Sequence, residues 1–270
     1  MIKIGLFYKQ DSDKSNSVLI AWQKTCPLDK IELSILNNQS GDDQVDIIYS
    51  FGGDGTILRL IERAILWDAP LVGFNLGKLG FLTDFVLAEI DKVTESLIQE
   101  KYRLQSLMLL DVKIMRNTTV LHLGKALNDV VLLRGSESNL INLKLYSDRQ
   151  FVYNSRSDGL IISTPTGSTA YSLSAGGPIL HQTMEAIMVT PLNPHLLTIY
   201  PMVFAAQEKI EIFIPFPQDI KLQIDGKNKC NLLAGDRVII VKAKEVVKFV
   251  KLPQKSYYQT LRKKLRIGKK

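Results

Sequence analysis

The sequence predicts an α/β N-terminal domain with a doubly wound parallel sheet, followed by a β-rich, sandwich-like domain. Up to Tyr102, short apolar runs rich in β-branched residues alternate with segments of helical periodicity, as in strands linked by helices. After Tyr102, strand-like runs follow one another closely, which is typical of an all-β domain. We therefore place the two domains at residues 1–102 and 103–250.

The first domain begins with a strand and ends with an amphipathic helix whose apolar residues share one face. Polar loops are predicted over Asp11–Asn16 and Asn37–Gln44. The strands are predicted at Met1–Tyr8, Asp29–Leu36, Val45–Phe51 and Leu71–Asn75, and the helices at Val18–Thr25, Ile57–Leu66 and Ala88–Gln99.

The second domain is predicted to consist of short strands, and a helical pattern returns only at Lys255–Ile267. The strands are predicted at Leu104–Met115, Thr119–Lys125, Leu127–Leu133, Leu140–Tyr146, Leu160–Ser163, Ile210–Pro215, Ile220–Ile224, Val238–Val241 and Val246–Val250.

The composition is that of a globular protein. The chain of 270 residues is 46% hydrophobic and 23% charged, and no apolar run approaches the roughly 20 residues that span a bilayer. Cys26 and Cys230 are far apart and fit no metal-binding spacing. Because we also see no secretion signal, we expect reduced thiols in a cytoplasmic protein, with no membrane partner and no metal held by the chain alone.

The net charge of +7 is concentrated at the C-terminus. Such a tail can bind nucleic acid, but no aromatic–basic interleaving or nucleic-acid fold signature accompanies it. We therefore interpret it as a solvated terminus and expect no nucleic-acid partner. Its basic residues are Arg262, Lys263, Lys264, Arg266, Lys269 and Lys270.

The chain is organised around Gly52-Gly53-Asp54-Gly55-Thr56, which stands between a predicted strand and a predicted helix. This layout directs backbone N–H groups at a phosphate. A phosphate site normally avoids a carboxylate, because two anions repel each other. Asp54 therefore indicates a general base or a residue that holds a metal–nucleotide. The alternative is that Asp54 caps the helix, although Thr56 stands ready for that role.

A second glycine-rich stretch, Gly73–Leu82, follows another predicted strand. It has neither the spacing of a Walker loop nor that of a dinucleotide GxGxxG motif. Its alternative interpretation is a turn that links the sheet to the next element.

Asn128 and Asp129 stand side by side within an apolar strand-like run. Polar groups in such a place cost free energy unless they find partners. Asn has both a donor and an acceptor for a nucleobase edge or a carboxamide, and Asp can hold a sugar hydroxyl. The alternative is a bulge or turn at a strand end.

The stretch Arg156–Pro178 has the pattern of a binding strip, with a short strand, a Pro-Thr-Gly turn and a helix start. Ser168 or Thr169 is predicted to cap that helix, whose N–H groups can hold a pyrophosphate or ribose oxygen. Tyr171 can stack on an aromatic ring of a ligand or belong to the core. Arg156 and Asp158 are candidates for holding a phosphate and an amide.

Together these stretches resemble the NAD kinases. GGDGT alone is shared with lipid kinases and phosphofructokinases, whereas the long stretch Arg156–Pro178 matches the NAD kinase pattern almost in register. Gly73–Leu82 resembles the second glycine-rich stretch of the family, and Thr190–His195 resembles its Pro-bracketed loop near the adenine. The chain departs from the family at Asp129 (usually Glu), at Ser157 (usually Gly) and at Lys227, which follows the family's Asp225-Gly226 turn where Gln is common.

The resemblance implies transfer of the γ-phosphate of ATP to the 2′-hydroxyl of the adenosine ribose of NAD, with Asp54 as the general base. It also implies a divalent cation, Mg²⁺ carried by ATP, and a homodimer or homotetramer built through the β-rich domain. The C-terminal helix is expected to return to the first domain, so that residues 251–270 join residues 1–102. The NAD contacts that it implies are Asp54, Gly55, Asn128, Asp129, Arg156, Asp158, Thr169, Ala170, Tyr171, Ser172, Leu173 and Ser174, with Arg59 and Asn193 as further candidates.

Two other functions stay open from the sequence. One is a different GGDGT-type kinase that acts on a lipid or a sugar phosphate. The other is a non-catalytic regulator that binds NAD(P). His181 and His195 are interpreted as structural, because no Cys or Ser stands in a nucleophile context near them.

Overall fold

The computed structural model describes residues 1–8, 18, 20, 22, 30–36, 43–77, 80–136, 139–253 and 255–268. The chain divides into two compact units. The first comprises Met1–Ser106 with Val247–Lys270, and the second comprises Leu107–Val246. The C-terminal segment thus returns to the first unit, which confirms that part of the predicted fold.

The first unit is built on a parallel sheet. Strand β1 (Ile2–Tyr8) lies between β2 (Ile31–Ile35) and β3 (Ile47–Phe51), and β4 (Leu71–Asn75) pairs with the far side of β3. The short strand β5 (Phe85–Val86) is parallel to β4. Every residue of β3 and β4 is buried, which explains why their sequences are largely apolar rather than alternating. The predicted parallel α/β architecture is confirmed.

The helices differ from the prediction at the glycine-rich turn. The single helix predicted over Ile57–Leu66 is observed as two helices with a turn at Arg59–Leu60, and the first of them begins at Asp54. Apart from the helical residues between 18 and 22, the helices in the described part of the chain are α1 (Asp54–Leu58), α2 (Ile61–Leu66), α3 (Ile90–Ile98), α4 (Tyr171–Ser174) and α5 (Tyr257–Leu265), with 3-10 turns at Leu87–Glu89 and Gly167–Thr169.

Some predicted elements fall on residues outside the described ranges. The polar loop Asp11–Asn16 lies wholly outside them, as does most of the loop Asn37–Gln44. Of the helix predicted over Val18–Thr25, the residues Val18, Ile20 and Trp22 are described, and all three are helical.

The second unit is a sandwich of antiparallel strands. One sheet has six strands, in the order Met202–Ala205, Ala186–Leu192, Gly159–Ser163, Asp129–Arg134, Ile220–Ile224 and Lys227–Leu232. In the other sheet, Gln150–Ser157 pairs with Ile141–Ser147, which pairs with Ile210–Phe213, and this strand pairs with Arg237–Lys251. Val130 and Ile162 from the first sheet share one apolar core with Leu143 and Ile212 from the second. The strands are β6 (Arg103–Arg116), β7 (Thr119–Ala126), β8 (Asp129–Arg134), β9 (Ile141–Ser147), β10 (Gln150–Ser157), β11 (Gly159–Ser163), β12 (Ala186–Leu192), β13 (Met202–Ala205), β14 (Ile210–Phe213), β15 (Ile220–Ile224), β16 (Lys227–Leu232) and β17 (Arg237–Lys251).

The sequence did not predict four of these strands, β10, β12, β13 and β16. β10 and β16 are largely polar and exposed, and β12 contains Pro191, a residue that argues against a strand interior. The runs Val238–Val241 and Val246–Val250 were predicted as separate strands, yet both belong to β17. Within the described ranges, no helix has the length and apolar character needed to cross a membrane.

Candidate active site

The glycine-rich turn places Asp54 at the first position of helix α1. The preceding Gly53 is the N-cap residue in an extended conformation, and no side chain makes a capping hydrogen bond there. Neither Asp54 nor Thr56 therefore caps this helix, which removes the structural alternative raised by the sequence. The Asp54 side chain is half-buried, and Gly53 and Gly55 on either side of it are exposed.

The carboxylate of Asp54 accepts two backbone hydrogen bonds from the second glycine-rich stretch. The Phe81 N–H lies 2.9 Å from Oδ2, and the Leu82 N–H lies 3.0 Å from Oδ1. Each carboxylate oxygen has two lone pairs, so a further acceptor position remains on each. The two bonds fix the orientation of the carboxylate and leave it able to accept a proton from a substrate hydroxyl.

Close packing around Asp54 explains the glycines of the second stretch. A Cβ on Gly80 would lie 1.9 Å from Asp54 Oδ1, and one on Gly73 would lie 2.5 Å from the carbonyl oxygen of Leu82. The Gly80 N–H also donates to Thr83 Oγ1 at 3.0 Å. Gly73–Leu82 is therefore the support of the carboxylate rather than a simple connection, although Lys78 and Leu79 lie outside the described ranges.

Arg59 lies in the turn that follows helix α1, and its side chain is exposed. Asp54, Gly55 and Arg59 belong to the first unit, and the other candidate residues belong to the second.

In the second unit, Asn128 is held by a residue that the sequence analysis treated only as part of a turn. The carboxylate of Asp225 accepts the N–H groups of Leu127, Asn128 and Asp129 at 2.9, 2.8 and 3.0 Å. Asp225 and Gly226 both have positive φ values, 47° and 74°, as expected for the two central residues of a hairpin turn between β15 and β16. The Asp at the first position of this tight turn is the one sequence feature that could have drawn attention to the residue, and it does not reveal which N–H groups the carboxylate accepts.

The pKa values of the two carboxyl groups reflect their burial. Burial, together with the nearby charge of Asp225, raises the pKa of Asp129 to about 7, and the Asp129 side chain is 6% exposed. Burial also raises the pKa of Asp225, although the three backbone N–H groups partly oppose this rise. Near neutral pH, the Asp129 carboxyl is therefore divided between a form that donates a hydrogen bond and a form that only accepts.

The backbone of Asn128 packs directly on the Arg156–Pro178 strip. The Thr164 N–H donates to the carbonyl oxygen of Asn128 at 2.9 Å, and a Cβ on Gly167 would lie 2.0 Å from that same oxygen. Asn128 itself is half-buried at the bend before strand β8. The structure thus brings Asn128 together with the turn that precedes Thr169.

The segment Thr169–Ser174 forms the end of a 3-10 turn and the short helix α4, but no side chain caps either. The predicted cap by Ser168 or Thr169 is wrong, because both hydroxyls bond to backbone carbonyls, Ser168 to Pro165 and Thr169 to Thr166. Tyr171 is 42% exposed, so its ring is available to a ligand and is not a core aromatic.

The remaining side chains of this segment differ in access. Thr169, Ala170 and Leu173 are half-buried, and Ser174 is exposed. Ser172 is fully buried, and its hydroxyl lies 2.8 Å from Thr190 Oγ1. Any contact of Ser172 with a ligand would therefore be made through its backbone.

Asp158 is held by two partners. Arg134 Nε donates to its Oδ1 at 2.6 Å, and Asn193 Nδ2 donates to its Oδ2 at 2.9 Å. The bond from Asn193, with further help from Arg134, lowers the pKa of Asp158. Asn193 has a φ of 44°, which Asn tolerates better than most residues. Arg156 is exposed beside this group.

The structure describes Ser157 and His195, which the sequence singled out. Ser157 is absent from the residues with positive φ, so the backbone here does not require the glycine that the family usually has. His195 is exposed, and its backbone N–H donates to the carbonyl oxygen of Arg156. Across the described ranges, no group of three or more His, Cys, Asp or Glu residues is arranged to hold a metal ion.

Models of known protein families match both parts of the chain. Residues 4–102 match the model of the ATP-NAD kinase N-terminal domain, and residues 127–252 match that of the ATP-NAD kinase C-terminal domain. A protein of Thiobacillus denitrificans described as NAD kinase is 38% identical over 225 residues, which cover 83% of this chain and 78% of that protein.

Two solved structures have the same fold. The crystal structure of yeast NADH kinase complexed with NADH gives a TM-score of 0.87 at 24% identity, covering 100% of this chain and 89% of the other. The structure of an NAD kinase from Archaeoglobus fulgidus in complex with ATP gives a TM-score of 0.76 at 24% identity, covering 98% and 99% of the two chains.

Proposed function

This chain belongs to the ATP-NAD kinase family, and we propose that it transfers the γ-phosphate of ATP to the 2′-hydroxyl of the adenosine ribose of NAD, yielding NADP. The observation that supports this reaction best is the Asp54 carboxylate. It is oriented by the N–H groups of Phe81 and Leu82, and it keeps acceptor positions for a substrate.

Asp54 is the proposed general base. A ribose hydroxyl is a poor nucleophile at neutral pH, and a carboxylate within hydrogen-bond reach takes its proton as the oxygen attacks phosphorus. The leaving group is ADP, and the proton ends on the Asp54 carboxylate. The exposed backbone of Gly53 and Gly55 beside it can approach phosphoryl oxygens, where positioning and charge stabilisation supply most of the catalysis.

The proposed NAD contacts follow the family resemblance residue by residue. In the second unit, Asn128 would bind an amide or base edge, the Asp129 carboxyl a ribose hydroxyl, and Tyr171 a ring face. Arg156, Asp158 and Asn193 are further proposed contacts; Arg156 is exposed, and Asp158 already accepts hydrogen bonds from Arg134 and Asn193. The other proposed contacts are Gly55, Arg59, Thr169, Ala170, Ser172, Leu173 and Ser174.

Mg²⁺ is proposed to enter as part of the ATP substrate and to neutralise phosphate charge. Mg²⁺ carried by a nucleotide does not need a site made only of protein ligands, because it usually keeps several waters and binds phosphate oxygens. A cytoplasmic location and a homodimer or homotetramer built through the second unit complete the proposal.

The test supplies purified protein with ATP, Mg²⁺ and NAD and measures NADP with an NADP-specific dehydrogenase. NADP formation at a rate that saturates with both substrates is the expected result. The non-catalytic regulator would instead be favoured if calorimetry detects NAD binding but no NADP forms, even after the donor is changed to polyphosphate or another nucleotide. A kinase for a lipid or a sugar phosphate is not favoured, because the family models match both parts of the chain.

A further inference from the structure

Three lysines of the C-terminal segment contact the part of the chain that holds Asp54. We call residues 80–89 the support segment, because it supplies both hydrogen bonds to the Asp54 carboxylate. All of these residues belong to the first unit. The contacts therefore lie within one compact body.

The first two lysines make ion pairs. Lys251 Nζ lies 2.5 Å from Asp84 Oδ2, and their side chains are only 7% and 12% exposed. Lys255 Nζ lies 2.8 and 2.9 Å from the two carboxylate oxygens of Glu89 and 5.2 Å from the ring centroid of Phe85. These two ion pairs connect the end of strand β17 and the residues after it to the C-terminal part of the support segment.

The third lysine reaches the residue that bonds directly to Asp54. Lys264, on helix α5, places its Nζ 5.8 Å from the centre of the Phe81 ring, within the range of a cation–π contact. The N–H of the same Phe81 donates to Asp54 Oδ2 at 2.9 Å. Helix α5 is therefore linked to the proposed base through Phe81, whose ring contacts Lys264 and whose N–H bonds to Asp54.

We propose that Lys264 is a positioning residue for phosphoryl transfer, which holds the Phe81 ring and so fixes the backbone donors that orient Asp54. This inference rests on the proposed function, since it gives Lys264 a role only if Asp54 is the base. Lys264 acts through Phe81 and does not itself take part in proton transfer.

The neighbouring residue of the helix provides a matched control. Lys263 carries the same charge and is exposed, but successive helical residues point about 100° apart, and it has no contact with Phe81 among the described interactions. The interpretation of the basic C-terminal residues as a solvated terminus therefore does not cover Lys264, which has a defined aromatic partner.

The test compares the turnover of Lys264→Met, Lys264→Arg and Lys263→Met in the NADP assay. Lys264→Met keeps the length of the side chain and removes the charge. We expect its kcat to fall about two- to fivefold, the factor that a cation–π contact at an exposed site is worth, while the KM for NAD changes by less than about twofold. Lys264→Arg should restore kcat, and Lys263→Met should match wild type.

A double-mutant cycle separates positioning from a general structural or charge effect. Phe81→Leu removes the ring but keeps the backbone N–H, so Lys264→Met should have no further effect on kcat in that background. Three results would overturn the inference: equal kcat values for Lys264→Met and Lys263→Met, an undiminished effect of Lys264→Met in Phe81→Leu, or a parallel loss of thermal stability, NAD affinity and kcat. A wild type that makes no NADP would refute the proposed function instead, and the two failures are thus distinct.

Discussion

Replacing Gly80 with alanine should displace the Asp54 carboxylate while leaving its chemistry intact. Gly80 is buried and lies outside the left-handed region, so the backbone itself accepts an alanine there. The added methyl group would lie 1.9 Å from Asp54 Oδ1 and 2.6 Å from Thr83 Oγ1. Ordinary contact begins at 3.4 Å, so the carboxylate or the support segment must move by about 1.5 Å.

The expected loss follows from the size of that movement. A misplacement of about 1 Å in a reacting group costs on the order of 100-fold in rate, so we expect kcat of Gly80→Ala to fall at least about 100-fold. That factor corresponds to about 2.7 kcal/mol of activation free energy. The hydrogen bonds from Phe81 and Leu82 would lengthen or break as the carboxylate moves.

The assay is steady-state NADP formation, combined with a double-mutant cycle on Asp54→Asn. If the methyl group acts by displacing the carboxylate, Gly80→Ala should reduce kcat strongly in wild type and hardly at all in Asp54→Asn. Calorimetry of NAD binding serves as the check on folding. A Gly80→Ala enzyme within about threefold of wild-type kcat would refute the reasoning, as would equal losses in both backgrounds.

Two further predictions concern the second unit. Asp225→Asn removes the negative charge of the carboxylate that accepts the N–H groups of Leu127, Asn128 and Asp129. Because hydrogen bonds to charged groups are worth about 1.5–3 kcal/mol, the KM for NAD should rise about tenfold or more. An unchanged KM in the kinetic assay would contradict this prediction. The folded protein holds the Asp129 proton more tightly than the unfolded chain, because burial beside Asp225 raises the pKa of Asp129 from 3.8 to about 7. This contribution to stability is complete below pH 3.8 and is lost as the pH rises through 7. In denaturant unfolding, the free energy of unfolding of the wild type should therefore fall by up to about 4 kcal/mol relative to that of Asp129→Asn across this pH range. Parallel pH profiles of the two proteins would show the assignment to be wrong.

The parts of the fold that sequence predicted well are those with strong local patterns. The short, largely apolar runs of β3 and β4 predicted buried strands, and the glycine-rich turn after β3 was visible as a break in pattern. The polar edge strands β10 and β16 had no such pattern, because at least half of their side chains are exposed and few of them are apolar. Each pairs with the strand that precedes it in a hairpin, β10 with β9 and β16 with β15.

Part of the site could not be predicted either, because its hydrogen-bond partners lie far apart in sequence. Asp54 was identifiable from its three glycine neighbours, but the donors that orient it are backbone groups of Phe81 and Leu82, 27 and 28 residues away in sequence. Asp225 holds Asn128 from a hairpin 97 residues downstream, and a backbone acceptor role leaves little trace in a single sequence. The capping role expected of Ser168 or Thr169 failed because the backbone carbonyls of Pro165 and Thr166 take their hydroxyls.

The most direct test of the central claim compares wild type and Asp54→Asn for NADP formation and for NAD binding. Asn has nearly the shape of Asp and keeps one carbonyl oxygen as an acceptor, but it cannot serve as the base. We expect NAD binding to survive and kcat to fall about a thousandfold, within the range that general base catalysis supplies. An Asp54→Asn protein that still forms NADP within about tenfold of the wild-type rate would contradict the account.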